Sequence, residues 1–255
     1  MKIATLNTNS INARLPLLMQ WLKKNDPDVL LLQEIKTQYN DFPFFEINAA
    51  GYNACLVGQK GYNGVAVLSK NKIDVCREKL PGFSADEARY LEAQIGEVLV
   101  ASVYMPNGNP VGSANYEKKL QFMDAFYAHV KKMKMQNDKI VLGGDFNVIL
   151  SAQDVYNPDA FRQDALFQSE VQKRLKAVEY LGFYDAYRVL NPAMSGYTYW
   201  DYGSVAFAND FGLRIDYLMC SPLMIEKLKT CVPDKSLRAE QKPSDHTALV
   251  ATFEI

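Results

Sequence analysis

Short apolar runs that stop at polar residues alternate along this chain with longer stretches in which apolar positions recur every three or four residues. The first pattern predicts buried strands and the second predicts surface helices. Lys2–Leu6 reads as a strand entering a polar turn, and Val29–Leu32 as a short strand buried on both faces. Gly64–Ser69, Leu99–Tyr104, Ile140–Leu142, Ile215–Met219 and Ala248–Phe253 read as further core strands. Leu15, Leu18, Trp21 and Leu22 fall at helical spacing, with Pro27 beyond the helix they define. Tyr116–Met135 places Leu120, Met123, Phe126, Tyr127 and Val130 among lysines, the pattern of a surface helix, and Ala165–Leu181 predicts another, closed by Gly182. Many strands with few helices between them predict sheets packed on each other with helices outside. No stretch rich in Pro, Gly and Ser interrupts the chain, so residues 1–255 are expected to form one domain.

Composition narrows the class without naming it. Hydrophobic residues make up 48% and charged residues 22% of 255 residues, the balance of a soluble globular protein. No apolar run approaches the roughly 20 residues a membrane helix needs, and no signal-like segment opens the chain, so a cytoplasmic protein without membrane contact is expected. Cys55, Cys76, Cys220 and Cys231 lack the short spacing of a zinc site, which favours free thiols. The only histidines are His129 and His246, so a histidine-rich metal centre is excluded. A net charge of −1 lacks the basic excess of many nucleic-acid binders, but carboxylates gathered around a cation would offset basic residues elsewhere.

The polar residues at the strand ends are where chemistry concentrates. Gly143-Gly144-Asp145-Phe146-Asn147 follows a buried strand, and residues two apart in extended chain point the same way, so Asp145 and Asn147 would project together. The two glycines leave room for a backbone or a ligand to approach. Asp, Asn and Gly also make ordinary turns, and that reading stands beside the functional one. Glu34 and Asn7 occupy the ends of two other strands, and Tyr104 a third. Arg214 and Asp216 would share a face, as a structural ion pair or as site residues, and Asp245 and His246, as neighbours, would point to opposite sides. His129, on the lysine-rich helix, reads as structural. Oxygen ligands with no thiolate or histidine cluster suit a hard cation, Mg²⁺ or Mn²⁺, and such a cation suits phosphate chemistry. No G-x-x-x-x-G-K-[ST] loop is present, which counts against nucleoside triphosphate hydrolysis.

Seven segments in order, Leu6–Ser10, Leu32–Lys36, Gly61–Ala66, Tyr104–Gly108, Gly143–Asn147, Gly212–Tyr217 and Ser244–Thr247, resemble the exonuclease III (abasic endonuclease) branch of the endonuclease/exonuclease/phosphatase superfamily. The resemblance spans Lys2 to Phe253. It implies an α/β, four-layered αββα sandwich with two central mixed sheets flanked by helices. It implies a Mg²⁺-dependent phosphodiesterase, with Mn²⁺ able to substitute, that cuts 5′ to abasic sites in duplex DNA. Exonuclease action from 3′ ends and removal of 3′ blocking groups would accompany this, and the protein would act as a monomer. By the same resemblance Asn7, Glu34 and Asp245 surround the metal, with Asp145 and Asn147 at its edge. Asp145 would activate water, Asn147 orient it, and His246, paired to Asp216, contact the scissile phosphate beside Tyr104. Asn107, Tyr199, Trp200, Phe207, Leu213, Arg214 and Ile215 would bind the substrate, the aromatics probing the minor groove and holding an extruded abasic sugar. Trp200 has the equal alternative of filling the core.

Two departures from the family pattern stand out: Leu6 where many members carry an aromatic residue, and Leu213 where some abasic endonucleases carry Trp. The second predicts a roomier pocket and looser discrimination. Rival readings are another superfamily enzyme, such as a phosphoinositide phosphatase or general nuclease, and a non-catalytic DNA-binding scaffold. The scaffold should have lost a site residue, and none is missing.

Overall fold

The computed structural model describes residues 1–203 and 205–255. Two six-stranded sheets lie face to face. The first runs β11 (Leu228–Asp234), β12 (Ala248–Phe253), β1 (Lys2–Asn7), β2 (Val29–Gln33), β4 (Val65–Ser69) and β3 (Asn53–Val57). The second runs β5 (Asp74–Arg77), β6 (Tyr90–Ile95), β7 (Val98–Tyr104), β8 (Ile140–Asp145), β10 (Asp216–Cys220) and β9 (Tyr184–Asp185). In each sheet the two middle strands are parallel and every other pair is antiparallel. Both are therefore mixed sheets on one plan. Helices α1 (Ile11–Asn25) and α2 (Phe44–Ala49) cover the outer face of the first sheet, and α3 (Ala114–Gln136) and α4 (Ser169–Tyr180) cover the second.

Alternation along the strands sorts the core into three layers. Ile3, Val29, Leu31, Val141 and Leu218 meet between the sheets. Ala4, Leu6, Leu30 and Leu32 turn outward to Leu18, Trp21 and Leu22 of α1. Leu142, Tyr217 and Met219 turn outward to Phe122, Phe126 and Leu175. The expected αββα sandwich is the observed fold, and β2, coated on both faces, explains its unbroken apolar run.

The two glycines of Gly143–Asn147 admit protein, not ligand. A Cβ on Gly144 would lie 1.8 Å from the Val103 carbonyl oxygen, and one on Gly143 would lie 2.5 Å from a Leu31 methyl of the facing sheet. The sheets and strands close tightly here because no side chain separates them.

The predicted Ala165–Leu181 helix is in fact two pieces. Residues Ala165–Phe167 form a single 3₁₀ turn, and Gln168, extended at φ −75° and ψ 140°, separates it from α4. The Asp164 carboxylate accepts from the Leu166 N–H and favours the short turn over a continuous helix. Strands β3, β5, β9 and β11 were not legible in the pattern, being sheet edges, nor was the buried β6, whose apolar run is broken by Glu92 and Gln94. Among the described residues no helix is long and apolar enough to cross a membrane.

Candidate active site

The C-terminal ends of the parallel strands of both sheets converge: β1 delivers Asn7, β2 Glu34, β7 Tyr104 and β8 Asp145. The antiparallel neighbours contribute at their starts, β10 through Asp216 and β12 through Asp245 and His246 just before it. Tyr199 links these parts, its backbone bridging to both Leu213 and His246.

Hydrogen bonds and one longer ion-pair contact link polar residues of the two sheets in a row. Tyr104 donates its hydroxyl to Glu34 Oε1 at 2.9 Å, and Asn7 Nδ2 donates to that same oxygen at 2.8 Å and to Asp145 Oδ2 at 2.9 Å. Asp145 Oδ2 lies 3.7 Å from His246 Nε2, and His246 Nδ1 sits 2.8 Å from Asp216 Oδ2. Thr198 Oγ1 closes the row by donating to Asp216 Oδ2 at 2.6 Å. One amide of Asn7 thus holds two carboxylates that belong to different sheets.

Asn147 reaches the cleft by a different route from the one expected. Its backbone is left-handed at φ 49°, so the two-residue alternation from Asp145 does not apply. Hydrogen bonds orient its amide instead: Nδ2 donates to the Met105 carbonyl at 3.0 Å, and Oδ1 accepts from Asn107 Nδ2 at 3.3 Å.

The sequence reading missed Lys119. It sits fully buried on the apolar face of α3, and Nζ donates to the carbonyls of Asn147 at 2.5 Å and Asn107 at 3.0 Å. Burial pushes its ammonium down to about 7, against the pull of Asp145 and Asp164. A signal existed: Lys119 falls in the apolar stripe Tyr116, Leu120, Met123, a place where a surface lysine does not belong.

Burial raises the Asp145 carboxyl well above the usual range, the nearby Asp216 adding to this while His246 and the Asn7 amide oppose it. Burial alone would lower the His246 imidazole, but Asp216, Asp145 and Asp245 outweigh it and favour the charged ring. Glu34 is held low although burial opposes this, by the Asn7 amide and by Lys36, whose Nζ lies 2.8 Å from Oε2. Tyr104 keeps its proton, raised by burial and by Glu34 and Asp145.

Glu34, Tyr104, Asn107, Asp145, Asn147, Tyr199, Leu213, Ile215, Asp245 and His246 line one cleft of about 470 Å³. Trp200, Phe207 and Arg214 do not. Trp200 is fully buried, its indole N–H given to Asp210 and its ring edge-on to Phe207, so it fills the core. Arg214 is 1% exposed and faces away from Asp216, bound to Asp154 and Asp185 at 2.6 Å each. A neighbouring acidic pair captured the guanidinium, and its role is internal. His129 lies apart on α3, 2.7 Å from Glu92.

The donor set fits a hard cation. Glu34, Asp145, Asp216 and Asp245 bring four carboxyl groups together against His246 and Lys36, and Asp216 Oδ1 is buried without a partner among the described residues. The tightest group of potential ligands is Asp145, Asp216 and His246, within 4.8 Å of one another. His246 Nδ1 and Asp216 Oδ2 already satisfy each other, so the oxygens of Glu34, Asp145 and Asp245 facing the cleft are the better holders.

The Endonuclease/Exonuclease/phosphatase family matches residues 4–246. The chain belongs to this family. It is 32% identical to the exodeoxyribonuclease III of Haemophilus influenzae, over 99% of this chain and all of that protein. Among solved structures it is similar to the 3′ phosphatase NExo from Neisseria bound to a product DNA hairpin, with TM-score 0.97, 34% identity and full coverage of both chains. An AP endonuclease from Archaeoglobus fulgidus matches with TM-score 0.96 and 34% identity, again over both full chains. With this family, fold and site, the chain is a phosphodiester hydrolase.

Proposed function

We propose that this protein is a Mg²⁺-dependent DNA repair phosphodiesterase that cuts 5′ to abasic sites in duplex DNA and trims blocked or ordinary 3′ ends. The convergence of Glu34, Asp145, Asp245 and His246 from both sheets on one cleft, with Asn7 tying Glu34 to Asp145 behind it, carries the reading. It is supported by full-length relatives named as exodeoxyribonuclease III and AP endonuclease. Four free cysteines suit a reducing, cytoplasmic setting, and a site built wholly from one chain suits a monomer.

A magnesium ion, or manganese in its place, would be held by Glu34, Asp145 and Asp245, with the Asn7 amide fixing the first two from behind and Asn147 at its edge, and would neutralise phosphate charge. Asp145, its proton affinity raised by burial, accepts a proton from the attacking water. Asn147, its amide fixed by Met105 and Asn107, orients that water. His246, cationic and held by Asp216, donates to a non-bridging phosphate oxygen, and the Tyr104 hydroxyl, turned from Glu34, donates to another. Water oxygen bonds to phosphorus as the P–O3′ bond breaks. The leaving oxygen takes up a proton to become a 3′-hydroxyl, and the abasic sugar keeps the 5′-phosphate. An abasic sugar gives up little stacking on leaving the helix, which favours it at the site.

End-labelled duplex carrying one abasic site tests the proposal, incubated with Mg²⁺, with EDTA and with the Asp145→Asn variant. A single cut at the lesion is expected, abolished by chelation and by the substitution. Hydrolysis of a phosphoinositide with intact DNA would overturn it.

A further inference from the structure

The cleft is also lined by aromatic residues that none of the roles above uses. Beyond the buried floor of Leu166, Leu213 and Ile215, the rings of Tyr156 and Phe211 stack with centroids 5.0 Å apart and planes at 24°. Phe161 meets Tyr156 edge-on at 6.0 Å. The Tyr156 N–H donates to the Gly212 carbonyl at 3.1 Å, and Val155 bridges to Leu213. These backbone links tie the stack to the segment that packs, through Tyr199, on His246.

Both rings remain open to solvent, Tyr156 at 42% and Phe211 at 44%. Aromatic rings of this size normally bury their faces, and a half-exposed stack inside a catalytic cleft offers a flat π-surface to a ligand. A base-free sugar or a terminal phosphate has no π-face to match it. A nucleobase has one whatever its identity, and base–aromatic stacking tolerates any sequence. The apolar floor accommodates a sugar, and the stack stands beside that floor in the same cleft.

We infer that Tyr156 and Phe211, buttressed by Phe161, form a nucleobase subsite that seats the base of the leaving 3′-terminal nucleotide during exonucleolytic hydrolysis. The inference rests on the nuclease reading of the cleft and adds to it a determinant of substrate choice. Abasic cleavage and 3′-phosphate release place no leaving base on the stack. Removal of an intact nucleotide does, so the stack favours exonuclease action.

The test compares kcat/KM on three duplexes, bearing a 3′-terminal nucleotide, a 3′-phosphate or an internal abasic site, for Tyr156→Leu, Phe211→Leu and Tyr156→Phe. Nucleotide removal should fall about tenfold in both leucine variants, the loss of one stacking contact, and stay within about twofold in Tyr156→Phe. The other two activities should change by less than about threefold. A binding arm uses Asp145→Asn protein with 2-aminopurine as the 3′-terminal base. Its fluorescence should be quenched on binding, and the quenching should disappear when Phe211→Leu is added. Parallel loss of all three activities, unchanged nucleotide removal, or quenching indifferent to Phe211 would each overturn the subsite. If the unsubstituted protein cuts none of the duplexes, the nuclease reading fails, while the fluorescence arm, which needs no turnover, still decides the subsite.

Discussion

His246 and Asp216 are joined by a 2.8 Å hydrogen bond through Nδ1, which leaves Nε2 directed at Asp145, 3.7 Å away. The carboxylate thereby sets the ring orientation and supports its positive charge. Asp216→Asn removes that support, and kcat for phosphodiester hydrolysis is expected to fall by on the order of 10²-fold. Steady-state kinetics with abasic duplex checks this. A rate within about twofold of the unsubstituted protein would show that Asp216 only fills space.

Glu34 touches both Asn7 and Tyr104 and faces the cleft. If it holds the cation, Glu34→Ala shifts the Mg²⁺ titration of activity to higher concentration by about 10-fold or more. Isothermal titration with Mn²⁺ gives the same answer without turnover. An unshifted midpoint in both would make Glu34 a structural residue.

Lys119 ties the Asn107 and Asn147 carbonyls from behind the site. Lys119→Met keeps an unbranched apolar stem, one atom shorter, and removes the donors, so the loop geometry loosens while most of the core stays filled. A drop in kcat of about 10-fold is expected with little change in KM, since a fixed water-orienting amide acts in the transition state. Lys119→Arg should recover part of the loss. Amide resonances of Asn147 that do not move in Lys119→Met would argue that the lysine positions nothing.

Arg214 is the buried hub between Asp154 and Asp185. Arg214→Met leaves Asp185 without its guanidinium and Asp154 with Arg188 alone, a cost of about 3–5 kcal/mol. Urea unfolding followed by tryptophan fluorescence measures it. A loss below about 1 kcal/mol would show that water reaches the acids once the guanidinium is gone.

Far from the cleft, Glu92 accepts from Tyr90 and pairs with His129. Burial opposes its ionisation, but these partners and Arg77 prevail and hold the folded carboxyl below its usual value of 4.5. A carboxyl depressed in the folded state stabilises the protein above its unfolded value, and the benefit is lost as pH falls through the folded one. Glu92→Gln should therefore destabilise at about pH 7, with the gap to the unsubstituted protein closing below about pH 4. A gap that stays constant across this range would disprove the linkage.

Periodicity in the chain determined most of the buried strands and the two long helices, because coating β2 on both faces requires an unbroken apolar run and a surface helix requires a stripe. Ordered motifs at strand ends pointed to Asn7, Glu34, Tyr104, Asp145, Asp245 and His246; the fold brings the last five to one cleft and sets Asn7 behind it, bonded to Glu34 and Asp145. Tertiary structure alone decided the rest. Whether Arg214 faced Asp216 or other acids depended on Asp154 and Asp185, which are distant in the chain and adjacent in space. Trp200 and Phe207 had aromatic character that serves a core or a cleft equally, and only packing distinguished them. Asn147 left the alternation because a left-handed backbone and two hydrogen bonds, not strand geometry, aim its amide. Local pattern records which side of an element a residue occupies; its partners come from parts of the chain that meet only when the two sheets close.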